Sequence, residues 1–157
     1  MKKDQFILSV LVSNIFSVLN RVSGLFARRG FNIDSLSVGE TDDPKFSRMT
    51  IVATGDDYVK NQIVQQLRKL HDIQSVVLLD ENSSVLREHV LIKLNYSNKK
   101  DIDAFVESFK ANAVFSTKDT IIIEIVDDQS VVENFIENAK KFGILEMCRA
   151  GALALAK

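Results

Sequence analysis

This sequence predicts an α+β fold made of two consecutive β-α-β-β-α-β units, and three observations lead there. Apolar residues alternate in short runs and then recur at helical spacing, in the same order twice. A polar stretch without apolar residues, 80–84, separates the two series. With 46% hydrophobic and 26% charged residues, the chain has enough apolar material for packed cores.

In the first series, Phe6, Leu8, Val10 and Val12 alternate with Ile7, Ser9 and Leu11, which predicts a strand buried on at least one face. Val18, Leu19, Val22, Leu25 and Phe26 fall at helical spacing. Arg28 and Arg29 set cations against the negative end of that helix, and Gly30 is free to take a left-handed cap. Residues 31–38 read as a second strand and 46–54 as a third, joined by a turn holding the chain's one proline, Pro44. Asp56 or Asp57 caps a second helix whose Val59, Ile63, Leu67 and Leu70 form one stripe. A fourth strand spans 73–79. The second series follows the same order: a strand over 85–94, a helix from Asp101 with Ile102, Phe105, Val106 and Phe109 on one face, and short strands over 113–115 and 120–126. A helix over 129–142, stopped by Gly143, and a last strand over 144–148 complete it. Each unit implies an antiparallel sheet with two helices on one face, the ferredoxin-like plan, with domains at 1–80 and 81–157. In that plan the second strand is a sheet edge. Here its one charge is Asp34, so it is expected to pair with a second copy of the chain. The competing arrangement is an edge twisted away or covered by the C-terminal tail.

Lys+Arg 20 against Asp+Glu 21 leaves a net charge of −1, which argues against a dedicated nucleic-acid binder. An aromatic RNA-binding strand motif is also missing. No apolar run approaches the ~20 residues of a membrane span, and no signal peptide is expected. The single cysteine, Cys148, cannot form an internal disulfide, so a reducing cytoplasm is the expected location. Cys148 itself is expected to be a core thiol. With two histidines, His71 and His89, no metal site is expected.

The stretch from Asn14 to Ile51 is the most informative. A helix begins just after Asn14 and a strand begins at Asn32, an arrangement suited to a small zwitterion at an exposed helix N-terminus. No nucleophile with its base accompanies it, so the expected role is sensing rather than catalysis. Each residue also has a plainer reading. Asn14 and Asn32 can be turn formers. Arg21 and Arg48 read as surface charges, and Asp42-Asp43 as turn residues. His71 suits a helix C-terminus, and His89 reads as structural. Glu124 and Glu146 cannot be paired from sequence.

At these residues the chain resembles the small regulatory subunit of acetohydroxyacid (acetolactate) synthase, over nearly its whole length. The family's Asn, Leu and Arg-Val pattern is met by Asn14, Leu19 and Arg21-Val22. Gly30-Phe31-Asn32-Ile33-Asp34-Ser35-Leu36, Thr41 to Pro44 and Ser47 to Ile51 match further motifs. In the second half the matches are Arg87-Glu88 before Val90-Leu91-Ile92-Lys93, and Gly143-Ile144-Leu145-Glu146 followed by Arg149 and Gly151. The resemblance implies that residues 1–80 are an ACT domain for effector binding and dimerisation, and that 81–157 are the small subunit's C-terminal domain. It implies no catalysis by this chain, and a large catalytic subunit that carries thiamine diphosphate, Mg²⁺ and FAD. It also implies a homodimer joined by ACT edge strands, and an effector, usually valine, between the first loop and helix of one protomer and the second strand of the other. Carried over, the effector residues are Asn14, Phe16, Ser17, Val18, Asn32 and Ile33. Where the family has a Gly at the helix start, this chain has Ser17, preceded by Ile15 and Phe16. Ser17 puts a side chain where a ligand carboxylate would approach the backbone, which implies weakened or altered effector binding. Two further departures are Phe115, where an Asp is common, and Ala150, where a Ser or Thr is common. The alternatives are a stand-alone ACT-type sensor acting on another enzyme, a small enzyme on the same scaffold, and a nucleic-acid-binding regulator.

Overall fold

A computed structural model of the chain describes residues 4–80 and 82–157. Its elements follow the expected order: β1 (Gln5–Ser13), α1 (Val18–Arg28), β2 (Ile33–Glu40), β3 (Phe46–Thr54), α2 (Asp57–Leu67) and β4 (Ile73–Leu79). The second unit repeats it with β5 (Ser84–Asn95), α3 (Lys99–Ser108), β6 (Asn112–Ser116), β7 (Thr120–Asp127), α4 (Gln129–Ala139) and β8 (Ile144–Arg149). A ninth strand, β9 (Leu153–Ala156), follows.

Local chemistry starts and stops these elements. Asp56 accepts a hydrogen bond from the Val59 amide at 2.8 Å and caps α2. A hydrogen bond from Lys60, together with its charge, holds the Asp57 carboxyl below its ordinary pKa, and that carboxylate suits the helix's positive end. Gly30, at φ 68°, takes the left-handed conformation that ends α1. The last turn before Gly143 tightens to a 3₁₀ helix, Lys140–Phe142, which shortens the helix expected over 129–142.

Strand order in the first sheet is β2-β3-β1-β4, all antiparallel, so β2 is an edge as expected. One face of this sheet presents Leu8, Val10, Met49 and Ile51 to Val22 and Phe26 of α1 and to Ile63 and Leu67 of α2, and these residues form one buried cluster. In the second sheet, of order β6-β7-β5-β8 with β9 also paired to β5, Val90, Ile92, Ile121 and Ile123 pack with Ile102, Phe105, Val132 and Phe135. The Phe105 and Phe135 rings stack at 5.0 Å, with Phe109 edge-on to both. Buried Glu88 accepts from Arg149 Nε at 2.8 Å and ties β8 to β5.

Two expectations change. The strand expected over 144–148 is present as β8, but it is followed by a further one, β9. The described residues up to Val85, together with Gly151–Lys157, form one compact unit, and Leu86–Ala150 form the other. Cys148 is exposed rather than a core thiol, because β8 is an edge strand and its residues after Ile144 face outward.

Candidate functional site

Asn14 stands just beyond β1, at the end of the first sheet where Ser13 pairs with Phe46. Its side-chain amide donates to Glu40 Oε1 at 2.8 Å and to the Pro44 carbonyl at 3.0 Å, and its backbone amide donates to the Lys45 carbonyl at 2.7 Å. The β2–β3 turn is thereby drawn against the β1–α1 loop. Asn14 is more than a turn former here, because its side chain joins two loops.

The loop that follows is built for exposure. Phe16 is 97% exposed and Ile15 49%. Ser17 precedes α1 at φ 67°, ψ 3°, in the left-handed region, and its side chain makes no capping hydrogen bond. A residue held left-handed in this way does not offer its hydroxyl to the first turn. Val18, the first residue of α1, is buried. The first helical bond runs from the Arg21 amide to the Ser17 carbonyl, and the Val18 amide donates to the Ile15 carbonyl at 3.4 Å, so the Leu19 and Asn20 amides are the ones that point out of the helix end, where an anion is favoured.

Asn32 and Ile33 lie at the other end of the same sheet. Asn32 donates to Asp34 Oδ1 at 2.8 Å, and Ile33 pairs with Ala53 while packing on the core. From Phe46 to Ala53 along β3 is seven residue steps, which at roughly 3.3 Å per residue is about 23 Å. One chain therefore gathers Asn14, Phe16, Ser17 and Val18 at one end of the sheet and keeps Asn32 and Ile33 at the far end.

Arg21 proves to be more than a surface charge. Its Nε lies 2.6 Å from Oδ2 of Asp72, which is 3% exposed, and His71 Nδ1 lies 2.8 Å from the other carboxylate oxygen. The Asp72 carbonyl accepts from the Ser13 amide at 2.8 Å, so this pair fastens α1 and β4 to the end of β1 that launches the loop. Glu40 and Asp72 escaped the sequence reading because both act across long sequence separations that leave no local pattern. Arg48, expected on the surface, is half-buried on the face opposite the helices, where it donates to Ser9 at 3.0 Å.

Among the described residues, nothing at the loop end resembles a catalytic constellation. His89 Nε2 lies 2.9 Å from Glu124 Oε1. Glu124 faces Leu91 from β7 and Glu146 faces Lys93 from β8, so the two carboxylates flank opposite sides of β5 and do not pair. No group of three His, Cys, Asp or Glu side chains arranged for a metal occurs among the described residues. A cleft of about 630 Å³ in the second unit, lined by Asn98, Asp101, Phe105, Asn138 and Lys141 among others, contains none of the effector residues.

Residues 8–75 match the family model described as the AHAS small subunit-like ACT domain, and residues 87–157 match the model for the small subunit of acetolactate synthase. A probable acetolactate synthase small subunit from Methanothermobacter thermautotrophicus is 38% identical over the whole chain and 95% of the relative. The chain belongs to the acetolactate synthase small-subunit family. The small subunit of Aquifex aeolicus is 41% identical over 95% of this chain and 79% of its own length. The crystal structure of the Thermotoga maritima small subunit superposes with a TM-score of 0.92 at 36% identity, covering 98% of this chain and 97% of that one. Two ferredoxin-like units, the first an ACT domain, are thus the family's architecture. The left-handed Ser17 takes on meaning within this family. A glycine there has no Cβ to strain, whereas a serine bears roughly 1 kcal/mol of left-handed strain. Ser17→Gly relieves that strain but enlarges the unfolded ensemble by a similar amount, about 0.4–1 kcal/mol. Thermal denaturation is expected to show a net change below about 1 kcal/mol, a shift of under about 4 °C.

Proposed function

We propose that this chain is a non-catalytic regulatory subunit. It binds the large, thiamine-diphosphate-dependent subunit of acetolactate synthase, raises its activity, and conveys the level of a branched-chain amino acid, usually valine in this family. The cofactors thiamine diphosphate, Mg²⁺ and FAD belong to that partner, and this chain carries none. The cytoplasm is its proposed location. No helix among the described residues is long and apolar enough to cross a membrane.

The opposition of Asn14 and Asn32 across one sheet supports this reading most. Edge strand β2 ends at Glu40, whose carboxylate holds Asn14, and begins beside Asn32. Two copies related by a twofold axis would lay their β2 edges antiparallel. Each copy's Asn32 and Ile33 would then come beside the other's Glu40 and Asn14. The dimer would hold two composite sites, each with outward amides at the start of α1 for a carboxylate and Glu40 with Asn14 for an ammonium. Exposed Phe16 and half-buried Ile33 would flank the aliphatic side chain. An effector that binds the two states of the holoenzyme unequally shifts their balance, which is what regulation requires.

The direct test is reconstitution with the catalytic subunit, with and without valine, leucine and isoleucine. Stimulation by this chain and a lowered rate with one of the amino acids are the expected results. Ser17→Gly is expected to lower the effector concentration at half-response by about fivefold or more, the equivalent of roughly 1 kcal/mol. A chain that neither binds nor stimulates the catalytic subunit, yet binds an amino acid, would instead be a stand-alone ACT-type sensor acting on another enzyme.

A further inference from the structure

The helix-free face of the first sheet is not left open. Register alignment defines one transverse row on that face, Ser35–Val52–Ile7–Leu79, running from edge strand β2 to β4. Ile7 is 1% exposed, and Val52 and Leu79 are 8% each, although none of the three belongs to the helix-side cluster. By contrast Val77, two residues before Leu79 on the same face, is 45% exposed. The row must therefore be covered by something narrow.

The C-terminal segment 151–157, whose β9 also pairs with the β5 strand, is that cover. At the β2 end, a Cβ built on Gly151 would lie 2.6 Å from Ser35 Oγ, 2.7 Å from Ser37 Oγ and 2.8 Å from the Leu36 carbonyl, so a side chain cannot fit there. The next amide, of Ala152, donates to Ser35 Oγ at 3.2 Å. At the far end, the Lys157 amide donates to the Ser83 carbonyl at 2.9 Å and its Nζ to the Asn82 carbonyl at 2.8 Å, just beyond Leu79. Crossing three strand gaps of ~4.8 Å requires about 14 Å, and six extended residue steps reach about 20 Å. Side chains alternate from Ala152 to Leu155: Ala152 and Ala154 are buried, at 4% and 5%, whereas Leu153 and Leu155 are each 61% exposed.

We infer that residues 151–157 form a strap across the first sheet, and that its clasp on Ser35 sets the effector response through β2. This rests on the regulatory reading above. Ser35 is three residues beyond Asn32 on the same edge strand and directly follows the irregularity in its pairing between Ile33 and Ser35. A seated strap holds that irregular start of β2, and with it Asn32 and Ile33, in one position. An unseated strap frees the segment and uncovers Ile7, Val52 and Leu79.

Three variants of the full chain test this, each measured by amide hydrogen exchange and by effector titration in the reconstituted holoenzyme. Gly151→Val forces the clasp open. Ser35→Ala removes the acceptor without adding volume, and truncation after Ala150 deletes the strap. Each is expected to speed exchange at the amides of β2 and to shift the half-saturating effector concentration by about threefold or more. Should Gly151→Val fail to fold, Ser35→Ala and the truncation decide alone. Faster exchange with an unchanged effector response would overturn the coupling, and unchanged exchange after truncation would overturn the strap. A wild-type holoenzyme indifferent to all three amino acids would instead defeat the regulatory reading, leaving the exchange data to judge the strap.

Discussion

Asn14→Ala is expected to raise the effector concentration at half-response by about 10- to 100-fold while leaving stimulation of the catalytic subunit intact. A hydrogen bond to a charged ligand group contributes about 1.5–3 kcal/mol, which corresponds to that range. The loss compounds, because the Asn14 amide also holds Glu40 and the Pro44 carbonyl at the mouth of the loop. Without it, Glu40 is no longer positioned to meet an ammonium. The structural cost is small by comparison, since these bonds lie at an exposed surface and the core beneath, at Val18 and Val22, is untouched. Dose–response curves of the reconstituted enzyme measure the shift, and an unchanged midpoint would remove Asn14 from the site.

Phe135→Ala is expected to destabilise the second unit by about 3–5 kcal/mol, the range for an aromatic deleted from a close-packed core. Phe135 is fully buried, stacks on Phe105 at 5.0 Å and meets Phe109 edge-on at 5.4 Å. Its removal leaves a cavity that two rings cannot fill, because Phe105 is also held by Phe142 at 5.2 Å. Urea denaturation followed by far-UV dichroism should show the second unit's transition move to a markedly lower midpoint. A change below about 1 kcal/mol would mean that the ring cluster collapses freely and is not the core of that unit.

The legible parts of this fold are those with local causes. β3 and β4 occupy the expected 46–54 and 73–79, because period-two alternation bounded by polar turns is a short-range signal. α2 begins at the expected cap because an Asp side chain reaches an amide three residues on. β9 was not legible. Its four residues, Leu153 to Ala156, include two alanines, which carry little strand propensity, and its pairing partner, β5, lies far away in sequence. Arg21 looked like a surface charge for the same reason: Asp72, its partner, comes from the start of another strand. The candidate site was legible as residue types. That Asn14 and Asn32 stand at opposite ends of one sheet followed only from the order β2-β3-β1-β4 and its register. Ser17 was noticed as a departure from glycine, but its left-handed backbone came from the structure.

The most direct test of a site shared between protomers is a calorimetric titration of mixed dimers. Asn14→Ala and Asn32→Ala chains carrying different tags are co-expressed, and the mixed species is isolated and titrated with the amino acid that the wild-type protein binds. In a shared site, one pocket of the mixed dimer carries both substitutions and the other carries none. The expected result is one binding event per dimer at wild-type affinity, with neither single-variant homodimer binding at that strength. Two weakened sites per mixed dimer, or none, would contradict the account.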